Sequence, residues 1–195
     1  MSVETAVAGA PGGYPLRFDI EYPEKLSRWL IFVKWLLVIP VGFIWLLVSA
    51  AGYLPFAAFF TILFRRKYPR WWFDFLVNFL RFQYRLYAYV FLMRDDYPAL
   101  EEQQAVSLEV DYPTRLNRWL PLVKWILAIP HIIVLYAVGV IAYVLVMFAF
   151  FAILFTGRFP RGLFDFVVGY HRWSLRVSAY AFYLLTDDYP PFSLR

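Results

Sequence analysis

Two sets of four residues share one spacing and nearly one chemistry. Asp165, Gly169, Arg172 and Arg176 stand four, three and four apart, and Asp74, Asn78, Arg81 and Arg85 repeat the pattern. At 3.6 residues per turn this spacing gathers each set into a narrow stripe on one side of a helix, with Phe, Val, Trp, Leu and Tyr around the rest. Arginine stays charged and offers a rigid fork of donors, so Arg81, Arg85, Arg172 and Arg176 are candidates to hold an anion, lipid phosphate first. A structural role, a contact with a partner protein, and a transported or catalytic anion are the other readings. Lys34 and Lys124 join the arginines as lipid- or anion-binding candidates, while Asp74, Asn78 and Asp165 complete the polar stripe.

Other reactive groups are sparse. His131 and His171 could ligate haem, a pigment or a metal. Neither has a second ligand at metal spacing, and the matching residues earlier in the chain are Val41 and Leu80. Structural or interfacial roles are therefore expected, with no metal and no cofactor beyond bound lipid. Asp95-Asp96 and Asp187-Asp188 could act as acid–base pairs. The plainer expectation is solvated helix ends that pair with Arg28 or Arg118. The chain has no cysteine, which removes disulfides, thiolate nucleophiles and Cys-type zinc sites. It shows no Ser-His-Asp arrangement, HExxH, P-loop or GxGxxG, so no enzymatic activity is expected.

The elements that must carry these residues are apolar. Of 195 residues 62% are hydrophobic and 23% aromatic, well above a soluble domain. The segments 41–64 and 130–155 contain no charged residue. About 20 apolar residues cross a bilayer core of roughly 30 Å, so both read as membrane segments. Residues 1–15 read as a flexible tail, with no signal peptide expected. The net charge of +5 points to anionic lipid rather than nucleic acid.

The chain reads as one unit used twice. YPEKLSRWLIFVKWLLVIP (22–40) aligns on YPTRLNRWLPLVKWILAIP (112–130) with 12 of 19 positions identical, and FFTILFRRKYPRWWFDF (59–75) on FFAILFTGRFPRGLFDF (150–166) with 10 of 17. This divides the chain into a tail (1–15), a first membrane repeat (16–98), a linker (99–107) and a second repeat (108–195). The fold class expected is an all-α integral membrane protein. Each unit has an interfacial helix (about 23–39 and 113–129), a break or kink at Pro40 or Pro130, a long apolar segment and an Arg-striped amphipathic helix. Aromatic–proline pairs such as Tyr22-Pro23, Tyr68-Pro69 and Phe159-Pro160 are expected to mark helix starts at the membrane surface. The striped helices are placed in the headgroup layer, aromatics down, because a charge at mid-bilayer costs roughly 2.5–3.5 kcal/mol; the alternative is a spanning pair whose stripes face each other across a pseudo-twofold axis. Two topologies stay open. One is a hydrophobic hairpin with its tip at 49–55, which keeps all basic residues and the N-terminus inside. The other is an interfacial helix plus one span per unit.

YPTRLNRWLPLVKWILAIPH followed by FTGRFPRGLFDFVVGYHRWSLRVSAYAFYLLTDDYPPFSL resembles the bacterial membrane proteins grouped as domain of unknown function 4389, here in tandem. The first unit is looser, with Arg66-Lys67 and Trp71-Trp72 in place of the TGR and GL segments. The resemblance implies a small protein of the bacterial cytoplasmic (inner) membrane, and carries no activity and no catalytic residue. The function expected is a non-enzymatic accessory or scaffold subunit, packing on a larger membrane complex and on anionic headgroups; the partners expected are membrane lipids and a larger membrane protein complex or a homo-oligomer, with no nucleic acid. The alternatives are a small transporter or lipid carrier with its site between the repeats, and a membrane-shaping hairpin or wedge.

Overall fold

The computed structural model describes residues 13–49, 54–99 and 105–195. Along the chain these form β1 (Leu16–Ile20), α1 (Leu30–Ser49), α2 (Leu54–Arg65), α3 (Arg70–Val90), β2 (Val106–Val110), α4 (Leu120–Thr156) and α5 (Arg161–Ala181). Pro69 and Pro160 stand directly before α3 and α5, where a missing N–H costs no helical hydrogen bond. Leu92 (φ 61°) and Leu184 (φ 55°) close these helices in the left-handed region. The 37-residue α4 ends on Gly157, whose φ of 71° lets its N–H return to the Ile153 carbonyl at 2.7 Å.

The striped helices lie at the centre. α3 packs on α1 and α5 on α4. Their aromatic faces, with Phe73, Phe79, Phe82, Tyr84, Tyr89, Phe164, Trp173 and Tyr180, are buried. They meet around His171, stacked on Tyr87 and edge-on to Tyr84 and Phe91. β1 and β2 pair antiparallel, Phe18 opposite Leu108, into a ribbon over the polar side of the same helices. Alternation explains its seat: Leu16, Phe18, Ile20, Val106 and Leu108 point into the core, while Arg17, Asp19, Ser107 and Glu109 point away. Each strand serves the other half of the chain, β1 lying on α5 and β2 on α3. Tyrosines tie the halves in the same crossed sense. The Tyr22 hydroxyl donates to the Phe159 carbonyl and the Tyr112 hydroxyl to that of Tyr68.

α1, α2 and α4 form the outer layer. Each buries a thin stripe, for α4 Lys124, Ala128, His131, Leu135, Ala142, Val146, Ala149 and Ile153. The remaining faces are exposed and apolar, from Trp29 and Leu36 on α1 and its approach to Phe60 and Phe64 on α2 and Ile133, Tyr136 and Phe155 on α4. α1 and α4 are long and apolar enough to cross a membrane.

Several expectations change. The fold is mostly helical but contains a ribbon, because LRFDI and VSLEV alternate for only five residues each, at the edges of segments read as tail and linker. Most of that tail (1–12) and linker (100–104) lies outside the described residues. Pro40 and Pro130 do not interrupt α1 and α4; each removes one hydrogen bond from a helix that continues through it. These helices begin at Leu30 and Leu120, so Tyr22-Pro23 and Tyr112-Pro113 precede extended and turn-like segments rather than helix starts. α4 runs unbroken where a hairpin would turn. In the first unit the proposed tip is divided between the end of α1, the start of α2 and residues outside the described set (50–53). The aromatic faces of α3 and α5 rest on protein, because the long helices α1 and α4 cover them.

Candidate functional site

Lysine on an apolar helix needs a counter-charge, and the chain supplies one from the turn after each striped helix. Lys34 Nζ lies 2.8 Å from Asp95 Oδ1 and donates to the Arg94 carbonyl at 2.6 Å. Lys124 Nζ lies 2.7 Å from Asp187 Oδ1 and donates to the Thr186 carbonyl at 2.6 Å. Each ammonium also sits over a tyrosine ring, Tyr89 at 4.8 Å and Tyr180 at 5.0 Å. Lys34 is 2% exposed and Lys124 is fully buried. The second carboxylate oxygen is used as well: Asp95 Oδ2 accepts from the Ser27 N–H and Asp187 Oδ2 from the Asn117 N–H, both at 2.6 Å. Each aspartate thus joins the end of one helix to the approach of another. The lysines do not snorkel, and the partners of Asp95 and Asp187 are Lys34 and Lys124 rather than Arg28 or Arg118. Asp96 pairs with Arg94.

The arginine stripes face the ribbon and the segments that follow the striped helices. Arg81 donates through Nε to the Leu108 carbonyl at 2.8 Å and through a terminal nitrogen to Asn78 Oδ1 at 2.9 Å. Arg172 donates to the Phe18 carbonyl at 2.8 Å, the Leu194 carbonyl at 3.2 Å and Asp19 at 2.8 Å. Arg85 donates to the Ala99 carbonyl at 2.7 Å. Arg176, 9% exposed, reaches the Ser193 carbonyl at 3.5 Å and lies 5.7 Å from the Tyr14 ring. Burial, then the charge of Arg172, pushes the Arg176 guanidinium below its ordinary pKa. Asp74 pairs with Arg70 at 3.3 Å, and Asp165 is exposed.

Two matched grooves remain between ribbon and stripes. One, of about 440 Å³, is lined by Asp19, Tyr22, Asp165 and Arg172 among others; its counterpart, of about 330 Å³, by Arg70, Asp74, Asn78, Arg81 and Tyr112. Both mix cations with carboxylates or amides. Their chemistry is hydrogen bonding to a polar or charged group at the rim.

The histidines are packed into protein. His131 Nδ1 accepts from the Trp173 indole at 3.1 Å, and its ring stacks on Phe192 at 3.7 Å. His171 is enclosed by rings, and burial lowers its pKa to about 4. Among the described residues no three of His, Cys, Asp and Glu converge as metal ligands would. Sequence reasoning missed the lysine–aspartate–tyrosine clusters. The signal was available, since lysine, tyrosine and Asp-Asp recur in both units, but only the fold brings together residues about 60 positions apart.

Residues 118–193 match the model of a family described as Domain of unknown function (DUF4389). The match covers most of the second unit and under half of the chain. No curated protein and no solved structure matches the chain.

Proposed function

We propose that this chain is an integral protein of the bacterial cytoplasmic membrane. On this reading it is a non-enzymatic accessory or scaffold subunit that presents α1, α2 and α4 to lipid and to a larger membrane complex. One observation carries the proposal: the outer layer is almost wholly apolar and exposed, and the two lysines on it are turned inward and paired. Exposing a large apolar side chain to water rather than burying it costs roughly 1.5–3 kcal/mol. More than a dozen such chains on one face ask for lipid or protein cover. Trp29, Trp35, Trp119 and Trp125 ring the starts of α1 and α4, as tryptophan does at headgroup level. At 1.5 Å per residue α4 is about 55 Å long against a core of roughly 30 Å, so it crosses obliquely or extends past the interface. Two units related by tandem duplication account for the matched pairs across the molecule. The reactive groups described above are engaged with the protein itself, which suits a packing role.

The test has two stages. Alkaline carbonate washing should leave the protein in the membrane pellet; release into the supernatant would end the integral-membrane reading. Gentle extraction followed by native mass spectrometry should then find the chain in a larger assembly at fixed stoichiometry. Recovery as a lone chain or homo-oligomer would end the accessory-subunit reading.

A further inference from the structure

We infer that the corner where α2 meets the start of α4 is a binding site for an anionic phospholipid, with an acyl chain in an apolar groove and the headgroup on a basic rim. The inference rests on the membrane reading above and uses residues outside the arginine stripes.

The groove has a volume of about 520 Å³ and is lined by Phe56, Phe59, Pro121, Trp125, Phe182 and Leu184 among others. It belongs to one half of the molecule. At the related position in the other half, Phe32 on α1 packs edge-to-face on Phe150 of α4, ring centroids 5.8 Å apart. The residues matching Phe32 and Phe150 are Leu122 and Phe59. Leucine replaces the phenylalanine on one side, and Pro121 replaces Ile31 beside it. The interlock is thus lost where the space opens. Phe56, Trp125 and Phe182 at its mouth are exposed, so on the membrane reading it is filled from the lipid side.

A basic rim lies one to two turns beyond it. The Leu116 N–H donates to the Arg66 carbonyl at 3.4 Å, bringing the end of α2 against the approach to α4. That contact gathers Arg65, Arg66, Lys67, Arg115 and Arg118; the carboxylate bonded there is that of Asp187, on the Asn117 N–H, and it is already paired with Lys124. From Phe59 to Arg65, the last residue of α2, is six residues, about 9 Å at helical rise, which suits the span from acyl chain to phosphate. A second cavity of about 560 Å³, lined by Thr61, Arg65, Lys67, Tyr68 and Pro69, opens at the same end of α2. The opposite corner, where the Leu26 N–H meets the Gly157 carbonyl, carries Lys25, Arg28 and Arg158 but also Glu24. Among the described residues, charge and open apolar space coincide at this corner.

The experiment places the full chain in nanodiscs of phosphatidylcholine with a minor share of phosphatidylglycerol, releases it gently and weighs the retained lipid by native mass spectrometry. Wild type should retain phosphatidylglycerol in preference to phosphatidylcholine. Replacing Arg66, Lys67 and Arg118 together by Gln should cut that preference roughly tenfold or more, given the worth of each cation near a membrane surface. Leu122→Phe, restoring the interlock of the other half, should lower retention of both lipids. Lys25→Gln, Arg28→Gln and Arg158→Gln together control for net charge and should leave the preference in place. Equal retention of the two lipids by wild type would overturn the site, as would equal losses from both triple variants or unchanged retention in Leu122→Phe. A chain that fails to enter the discs would overturn the membrane reading instead.

Discussion

His171 shows how far a single residue can depart from its ordinary behaviour. Its ring is 4% exposed and surrounded by Tyr84, Tyr87, Phe91 and Tyr170. Burial disfavours the imidazolium and lowers the pKa from 6.5 to about 4. Above pH 6.5 the ring is neutral whether folded or unfolded. As pH falls from 6.5 towards 4 the unfolded chain takes up a proton that the folded chain refuses, so stability falls across that window and levels off below it. The full loss is about 3 kcal/mol, from 1.36 kcal/mol per pKa unit. His171→Leu, which places there the residue that the first unit has at Leu80, should remove that part of the pH dependence. Thermal unfolding of both proteins in detergent at pH 7 and pH 4.5 measures it, and parallel losses would contradict the assignment. The sequence showed His171 as an isolated histidine without ligand partners, but not the aromatic enclosure, which needs α3 and α5 brought together.

Among the elements, the striped helices were the most legible. Their periodicity and preceding prolines located α3 and α5, while their surroundings were hidden in two short strands. Five residues of alternation are a faint signal beside helices of 21, and LRFDI and VSLEV make sense only once they pair. Arginines that sequence alone directs towards phosphate have their nearest acceptors in that ribbon and in the segments after each helix. Gly169 records how closely the last of these approaches. A Cβ there would stand 2.7 Å from the Leu194 carbonyl oxygen and 2.9 Å from the Leu194 Cβ. Gly169→Ala should displace residues 193–195 and loosen the bond from Arg172 to Leu194, costing on the order of 1–3 kcal/mol. Faster hydrogen exchange over residues 190–195 of the variant should reveal the displaced segment, and identical exchange would show that it accommodates the methyl group.

On the scale of the whole molecule, the recurrence of sequence is readable and the mutual dependence of the two halves is not. Identity between 22–40 and 112–130 says that a unit recurs; it is silent on which half completes which. The halves exchange strands, tyrosine hydroxyls and cation–π contacts, with Arg161 over Tyr22 at 4.5 Å and Arg70 over Tyr112 at 4.7 Å. Residues 108–195 made alone would lack β1 and Tyr22 and leave the Arg172 guanidinium without the Phe18 carbonyl and Asp19. That half should be degraded when expressed by itself and stabilised when residues 1–107 are supplied as a second chain; accumulation at equal levels in both cases would show it to be self-sufficient. The crossed ribbon also sets a clock on biogenesis. The β1 strand leaves the ribosome some 90 residues ahead of β2, and at about 5–20 residues per second that is a wait of roughly 5–20 s. Throughout that interval its backbone donors must be kept by water or by other partners, so the first half of the chain cannot finish folding until the second begins to emerge.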